Sequence, residues 1–228
     1  MQILQQRHPC RVWSTLVAAL LLACPRLHAA DLDISVVDAA GHGVAGIVLI
    51  AEPKFELPAA KRTTPHGAIM DQRQKQFVPN ILVIQTGTGV DFPNSDQIEH
   101  QVYSFSPAKP FQLSLYAGRK YPPIIFDKAG LVVIGCNIHD QMIGYIYVTD
   151  SPWFGRSDAQ GHWVVHDVPA GQYRIVAWHP RLQEPAGTTL QSQVAATDGA
   201  PVSAVFRLTK PLRAASGGHS GDPRWVDY

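Results

Sequence analysis

Gly135-Cys136-Asn137-Ile138-His139-Asp140-Gln141-Met142 lies between two apolar runs, Leu131 to Ile134 and Ile143 to Val148. Both runs are rich in β-branched residues and read as strands. A tight loop between them brings a thiol, an imidazole and a thioether, each three residues from the next, toward one point. A second imidazole must come from elsewhere in the chain. His100 is the candidate, because it follows Phe92-Pro93-Asn94-Ser95-Asp96 and opens the strand Val102 to Ser106. Thiolate and two imidazoles in a trigonal arrangement, with a weak and distant thioether, suit both Cu(I) and Cu(II). The set predicts one copper ion held by His100, Cys136, His139 and Met142. Zinc also accepts Cys and two His, but prefers a carboxylate, a further thiolate or water as fourth ligand. The plain alternative is a core cysteine, a surface histidine and a space-filling methionine with no metal between them.

Working outward, almost everything after residue 31 reads as strand and turn. Ile34 to Val37, Ile47 to Ile50 and Ile81 to Ile84 are further β-branched stretches, separated by Gly, Pro, Asn and Asp. This punctuation predicts an all-β chain built of sandwiches. Val37-Asp38-Ala39-Ala40-Gly41 reads as strand and turn in a first zone, 31–54. A second zone, 66–149, holds every candidate ligand. The third, 150–209, returns to the first style with the turn Ser157-Asp158-Ala159-Gln160-Gly161 and a strand from Tyr173 to Trp178. From Lys210 the composition shifts to Gly, Ser, Pro and charge, which predicts a flexible tail over 210–228.

The bulk numbers exclude more than they assign. Formal charge is +1, but Arg7, Arg11 and Arg26 all fall within residues 1–30, which hold no acid. Beyond that segment no basic run remains, so nucleic-acid binding has no electrostatic footing. Residues 1–30 read as an export signal: a basic flank, the apolar run Leu16 to Ala23, and small residues Ala29 and Ala30 at its exit. The run is too short to span a bilayer. Cleavage after Ala29 or Ala30 is expected, with a periplasmic mature chain; Leu21-Leu22-Ala23-Cys24 also resembles a lipobox, which would anchor the chain through Cys24. Of the three cysteines, Cys10 and Cys24 sit in this segment, leaving Cys136 alone. An odd cysteine in an exported chain points to a reactive thiol or a metal ligand.

With these residues in view, the middle zone resembles the cupredoxin family, the plastocyanin- and amicyanin-like type 1 copper proteins. The resemblance runs through Phe77 to Val83, Gly87 to Asp96 and Phe126 to Cys136, and covers roughly residues 66–149. It implies a Greek-key β-sandwich in which His100 and His139 are the imidazole ligands, Cys136 the thiolate and Met142 the axial ligand. The whole chain is also similar to secreted bacterial proteins of the "methylamine utilization protein" type. Val36 to Gly46, Arg156 to Gly161 and Val168 to Arg174 resemble a transthyretin-like or carboxypeptidase-regulatory sandwich. The copper unit would then be inserted into a second sandwich whose halves rejoin around Ser151. The family usually has Asn after its first histidine ligand, where this chain has Gln101. Asp140, beside His139, is expected to raise that imidazole's affinity for a proton.

The function these readings imply is single-electron transfer between transient redox protein partners, not catalysis. Two rivals are copper storage or delivery by the same ligands, and a non-redox interaction module stiffened by the metal. His162 and His166 alternate on one strand face without a third ligand nearby, and read as solvent-facing or hydrogen-bonded. His179, before Pro180, reads as structural. Trp153 and Phe154 are expected to pack between the two sandwiches.

Overall fold

The computed structural model describes residues 29–57, 66–119, 121–185, 188–197 and 199–214. Most of the expected export signal, with Cys10 and Cys24, lies outside them, as does the tail from residue 215. The described residues form strands and no helix, so none is long and apolar enough to cross a membrane as a helix.

Two strands open the chain, β1 (Ala29–Val37) and β2 (Val48–Pro53). Ten follow in the middle zone: β3 (Ala68–Ile69), β4 (Asp71–Arg73), β5 (Gln76–Val78), β6 (Ile81–Gln85), β7 (Thr88–Asp91), β8 (His100–Ser104), β9 (Phe111–Tyr116), β10 (Ile124–Phe126), β11 (Gly130–Cys136) and β12 (His139–Thr149). The last five are β13 (Phe154–Arg156), β14 (His162–Pro169), β15 (Gly171–Trp178), β16 (Thr189–Ala196) and β17 (Val202–Arg207).

Both ends of the chain share their sheets. One sheet runs β14-β1-β17 and another β13-β2-β15-β16. Ile34 pairs with Trp163, and Ile50 with Val176, so each opening strand is hydrogen-bonded to the far end of the chain. The middle zone forms its own sheets: a five-stranded one, β6-β12-β11-β8-β9, faced by β10-β7-β3 and the small hairpin β4-β5. Two sandwiches result, one split in sequence and one continuous.

The apolar pattern explains their stacking. In β2 every residue from Val48 to Ala51 is buried, a run too continuous for a strand with one wet face. Leu49 and Ala51 join Leu32, Ile34, Ile175 and Phe206 in the core of the split sandwich. Val48 and Ile50 point the other way, with Val176 and Trp178, onto Ile81, Val83, Leu131, Tyr145 and Tyr147 of the five-stranded sheet. A third cluster, including Phe77, Val102, Phe126, Ile134, Cys136 and Met142, fills the continuous sandwich. The molecule is therefore a stack of sheets with an apolar seam between each layer and the next. Phe154 packs in the seam between the sandwiches, as expected. Trp153 does not: it packs on the split sandwich's core, against Tyr173.

Two five-residue segments, Asp38-Ala39-Ala40-Gly41-His42 and Asp158-Ala159-Gln160-Gly161-His162, make the same turn. In each, the Asp Oδ1 accepts the amides two and four residues on, and the Gly amide donates to the Asp carbonyl. The aspartate side chain substitutes for a strand partner where the backbone reverses. The turns pack on one another closely enough that a Cβ at Gly161, where φ is +82°, would lie 2.3 Å from the Val36 carbonyl oxygen.

The tail expected to be loose from Lys210 is fastened as far as Arg213. The Lys210 amide donates to Glu184, the Pro211 carbonyl accepts from Gln183, and the Arg213 amide donates to Arg181. Leu212 also packs on the split core, an anchor that composition alone hides. His162 and His166 pair with Asp33 and Asp31 of β1 at 3.6 and 3.0 Å, on an exposed sheet face.

Two consequences are measurable. Trp178 is 2% exposed and its ring lies 5.7 and 5.6 Å from those of Tyr145 and Tyr147. Trp178→Ala should cost about 3–5 kcal/mol in urea unfolding, by emptying the seam between the sandwiches. His179 is buried, and burial, then the charges of Arg181 and Arg156, push its pKa from 6.5 down to about 3. The unfolded chain thus takes up a proton near pH 6.5 that the folded chain refuses until about pH 3. This contribution is complete above the first pH and lost progressively toward the second. His179→Asn should flatten that part of the stability curve relative to the unaltered chain.

Candidate metal centre

β11 and β12 are consecutive antiparallel strands joined through Asn137 and Ile138 alone. The loop expected from Cys136 to Met142 is therefore a hairpin with a two-residue turn, and His139 to Met142 are already strand. Apolar alternation carries the ladder to its tip, and Cys136 and His139 become direct partners across it. A register irregularity between Gly135 and Cys136 accompanies the switch. The Cys136 Sγ and His139 Nδ1 atoms lie 3.8 Å apart.

His100 arrives from the neighbouring strand. β8 pairs with β11 through Tyr103 and Gly135, which places His100 at the same end of the sheet as Cys136. Its ring is fully buried, and its Nδ1 lies 3.8 Å from Cys136 Sγ. The ring centroids of His100 and His139 are 4.9 Å apart. One donor atom from each of His100, Cys136 and His139 lies within 4.8 Å of the other two. Among the described residues this is the one such group of His, Cys, Asp or Glu.

Met142 is 1% exposed and shares the core cluster with Cys136. It precedes Ile143, the partner of Gly135, so strand alternation turns it to the face of Gly144 and Ile146, toward that core. The three nitrogen and sulfur donors thus converge, and the thioether is buried in the same cluster as the thiol.

The donor set fits one copper ion. Metal–sulfur and metal–nitrogen bonds of about 2.3 and 2.0 Å, opened to roughly trigonal angles, separate sulfur from nitrogen by about 3.7 Å. Both observed separations are 3.8 Å. The carboxylate of Asp96 is turned away from the donors: its Oδ2 meets the opposite nitrogen of His100, Nε2, at 2.7 Å. Soft sulfur with two imidazoles suits both copper oxidation states.

Four residues around the site escaped the sequence reading. Asp96 is one, and the amides of Gln74 and Lys75 bind its carboxylate at 2.6 and 2.8 Å. Burial opposes its charge, but the Lys75 amide, His100 and the Gln74 amide outweigh that and hold its carboxyl below the usual range. Asn94 is the second: its side-chain amide donates to the carbonyls of Ile98 and Tyr116, and its oxygen accepts from the Asp96 amide. The loop into His100 is thus braced from Asn94, six positions before the histidine, and not from Gln101. The only available signal was the Asn94-Ser95-Asp96 triplet, a run of turn formers. Third is Lys75, whose charge acts on His139. The fourth, Tyr103, lays its ring over Gly135.

The expectation for Asp140 is corrected. Asp140 is exposed and is not among the groups acting on His139. Desolvation, then His100 and Lys75, lower that imidazole's proton affinity, and the acid that pulls the other way is Asp96. A side chain next in sequence along a strand points to the opposite face, which is why adjacency misleads here.

No family model matches this chain, and no curated protein matches it. Solved structures do. The likeness is to cupredoxins. A reduced amicyanin variant is similar over 43% of this chain and 98% of its own, at 20% identity and a TM-score of 0.33. A purple cupredoxin from Nitrosopumilus maritimus is similar over 37% of this chain and 100% of its own, at 20% identity and a TM-score of 0.32. A copper-containing nitrite reductase from Thermus scotoductus matches 42% of this chain at 27% identity and a TM-score of 0.35. The matched segment spans only 25% of that reductase.

Gly135 offers a direct check on the site's packing. A Cβ there would lie 3.0 Å from the Tyr103 hydroxyl and 3.1 Å from its Cζ. Gly135→Ala should push the ring or the adjoining Cys136 aside and lower stability by about 1–3 kcal/mol, read by chemical denaturation.

Proposed function

We propose that this chain is an exported, periplasmic type 1 copper protein that carries single electrons between transient protein partners. The observation that carries the reading is the convergence of His100, Cys136 and His139 within 4.8 Å at the end of one sheet. Copper bound there supplies a one-electron couple. The chain's own residues do the rest. His100 and Cys136 are buried in a packed sandwich, which excludes water and holds both donors through a change of charge. Met142, equally buried, is the axial donor in this reading. His139 is only half-buried and sits beside the exposed Ile138, so its ring edge is the donor nearest solvent. Such a small apolar contact suits weak and brief association with a redox partner. The basic, apolar and small-residue pattern of residues 1–30 supports export.

Adding Cu(II) to the purified protein should produce an intense visible thiolate-to-copper absorption, and Cys136→Ser should abolish it. Reversible reduction with the copper retained is expected. Absence of the band would overturn the copper reading, and loss of Cu(I) to a competing chelator on reduction would replace carriage with delivery.

A further inference from the structure

His100 is held from behind as well as in front. Its Nδ1 faces the Cys136 thiol at 3.8 Å, and its Nε2 meets Asp96 Oδ2 at 2.7 Å. A histidine placed between two such partners has one sensible tautomer, with the proton on Nε2 and the lone pair on Nδ1.

What holds Asp96 is less ordinary. β4 and β5 form a hairpin whose turn is Gln74 and Lys75, and both residues adopt left-handed backbones, with φ of 54° and 59°. Two consecutive non-glycine residues in that region are uncommon and cost free energy. The conformation aims both amides at one carboxylate: Gln74 N reaches Asp96 Oδ1 at 2.6 Å, and Lys75 N reaches Oδ2 at 2.8 Å. Consecutive amides converging in this way form a small anion-binding concavity. A third tie comes from Asn94 Oδ1, which accepts the Asp96 amide at 3.0 Å. The hairpin itself is anchored by the pairing of Gln72 with Phe77, both fully buried.

We propose that Asp96, fixed by the Gln74–Lys75 turn, is a positioning residue that sets the tautomer and orientation of His100 before any metal arrives, and that its charge favours Cu(II) over Cu(I). The first half concerns the metal-free chain. The second deepens the copper reading and rests on it. A carboxylate on the outer nitrogen of a ligand histidine raises the basicity of the inner one, and removing such partners typically weakens metal binding by about 10–100-fold. The more highly charged ion gains more from the negative charge, so losing it raises the reduction potential. A tenfold preferential loss of Cu(II) affinity corresponds to about 59 mV.

The test has two arms. In metal-free protein with nitrogen-15-labelled histidine, the His100 ring should show one tautomer, protonated on Nε2 and slow to exchange with solvent. Asp96→Ala should mix the tautomers and expose that proton. In copper-loaded protein, Asp96→Asn, nearly identical in shape but neutral, should raise the reduction potential by tens of millivolts, on the order of the shift above. Protonation of His100 on Nδ1 in the unaltered metal-free chain overturns the proposal, as does an unchanged potential in Asp96→Asn. If Asp96→Ala does not fold, the unaltered chain's tautomer and the Asp96→Asn potential still decide. Should the unaltered chain form no thiolate-to-copper band, the copper reading fails, while the ring tautomer still reports on the clamp.

Discussion

The site exists because a chain can reverse in two residues. A thiol and an imidazole three positions apart would point in unrelated directions on an open loop. On β11 and β12 they become partners across a ladder, and the ladder is held by pairing from Gly130↔Val148 up to Gly135↔Ile143. The pairing is in turn fixed by burial. Val132, Ile134, Ile146 and Val148 face one core, and Leu131, Tyr145 and Tyr147 face the seam to the other sandwich. A one-residue slip would exchange the two sets and carry the donors to the wrong side. The position of Cys136 is thus specified by apolar packing on both faces of its sheet.

The split sandwich contributes to this from a distance. Its sheet β13-β2-β15-β16 covers the outer face of β6, of β12 at Tyr145 and Tyr147, and of β11 at Leu131, leaving the rest of β11 with β8 and β9 at the open side. The covered half is the foundation of the hairpin, and the metal-binding tip projects past it. Val133 and Phe105, on the uncovered part of the chain, remain exposed. One sheet thereby has a clamped base and an accessible end.

Much of this was legible in the residues. β-branched runs marked β1, β2, β6, β11 and β12, and the spacing of Cys136, His139 and His100 marked the donors that meet. Two kinds of feature were not. Contacts made through a side chain's back, such as Asp96 on His100, depend on how a short loop folds, and Asn94-Ser95-Asp96 reads only as a turn. Effects assigned by adjacency fail where a strand alternates, which removed Asp140 from the neighbourhood of His139. The Lys210 segment was misread for a third reason: its polar composition conceals backbone hydrogen bonds, and composition carries no information about those. The apolar run Ile47 to Ile50 marked a strand, and the fold adds that its residues are covered on both sides.

The shared sheets have a consequence for how the chain is made. β1 and β2 come first among the strands, yet their hydrogen-bonding neighbours β14, β15 and β17 follow about 120 to 170 residues later in the chain. Until then both strands have bare edges, and β2 has two apolar faces as well, a state prone to misassociation. The continuous sandwich, whose strand pairings are all internal to 66–149, can form during that wait. Once formed, it brings Ala51 and Trp153 together, where the Ala51 amide donates to the Trp153 carbonyl and Ser151 Oγ to the Ala51 carbonyl. The continuous sandwich thus doubles as the staple that shortens the search between the two halves of its host, so an early failure to fold in the middle is felt on both sides of it.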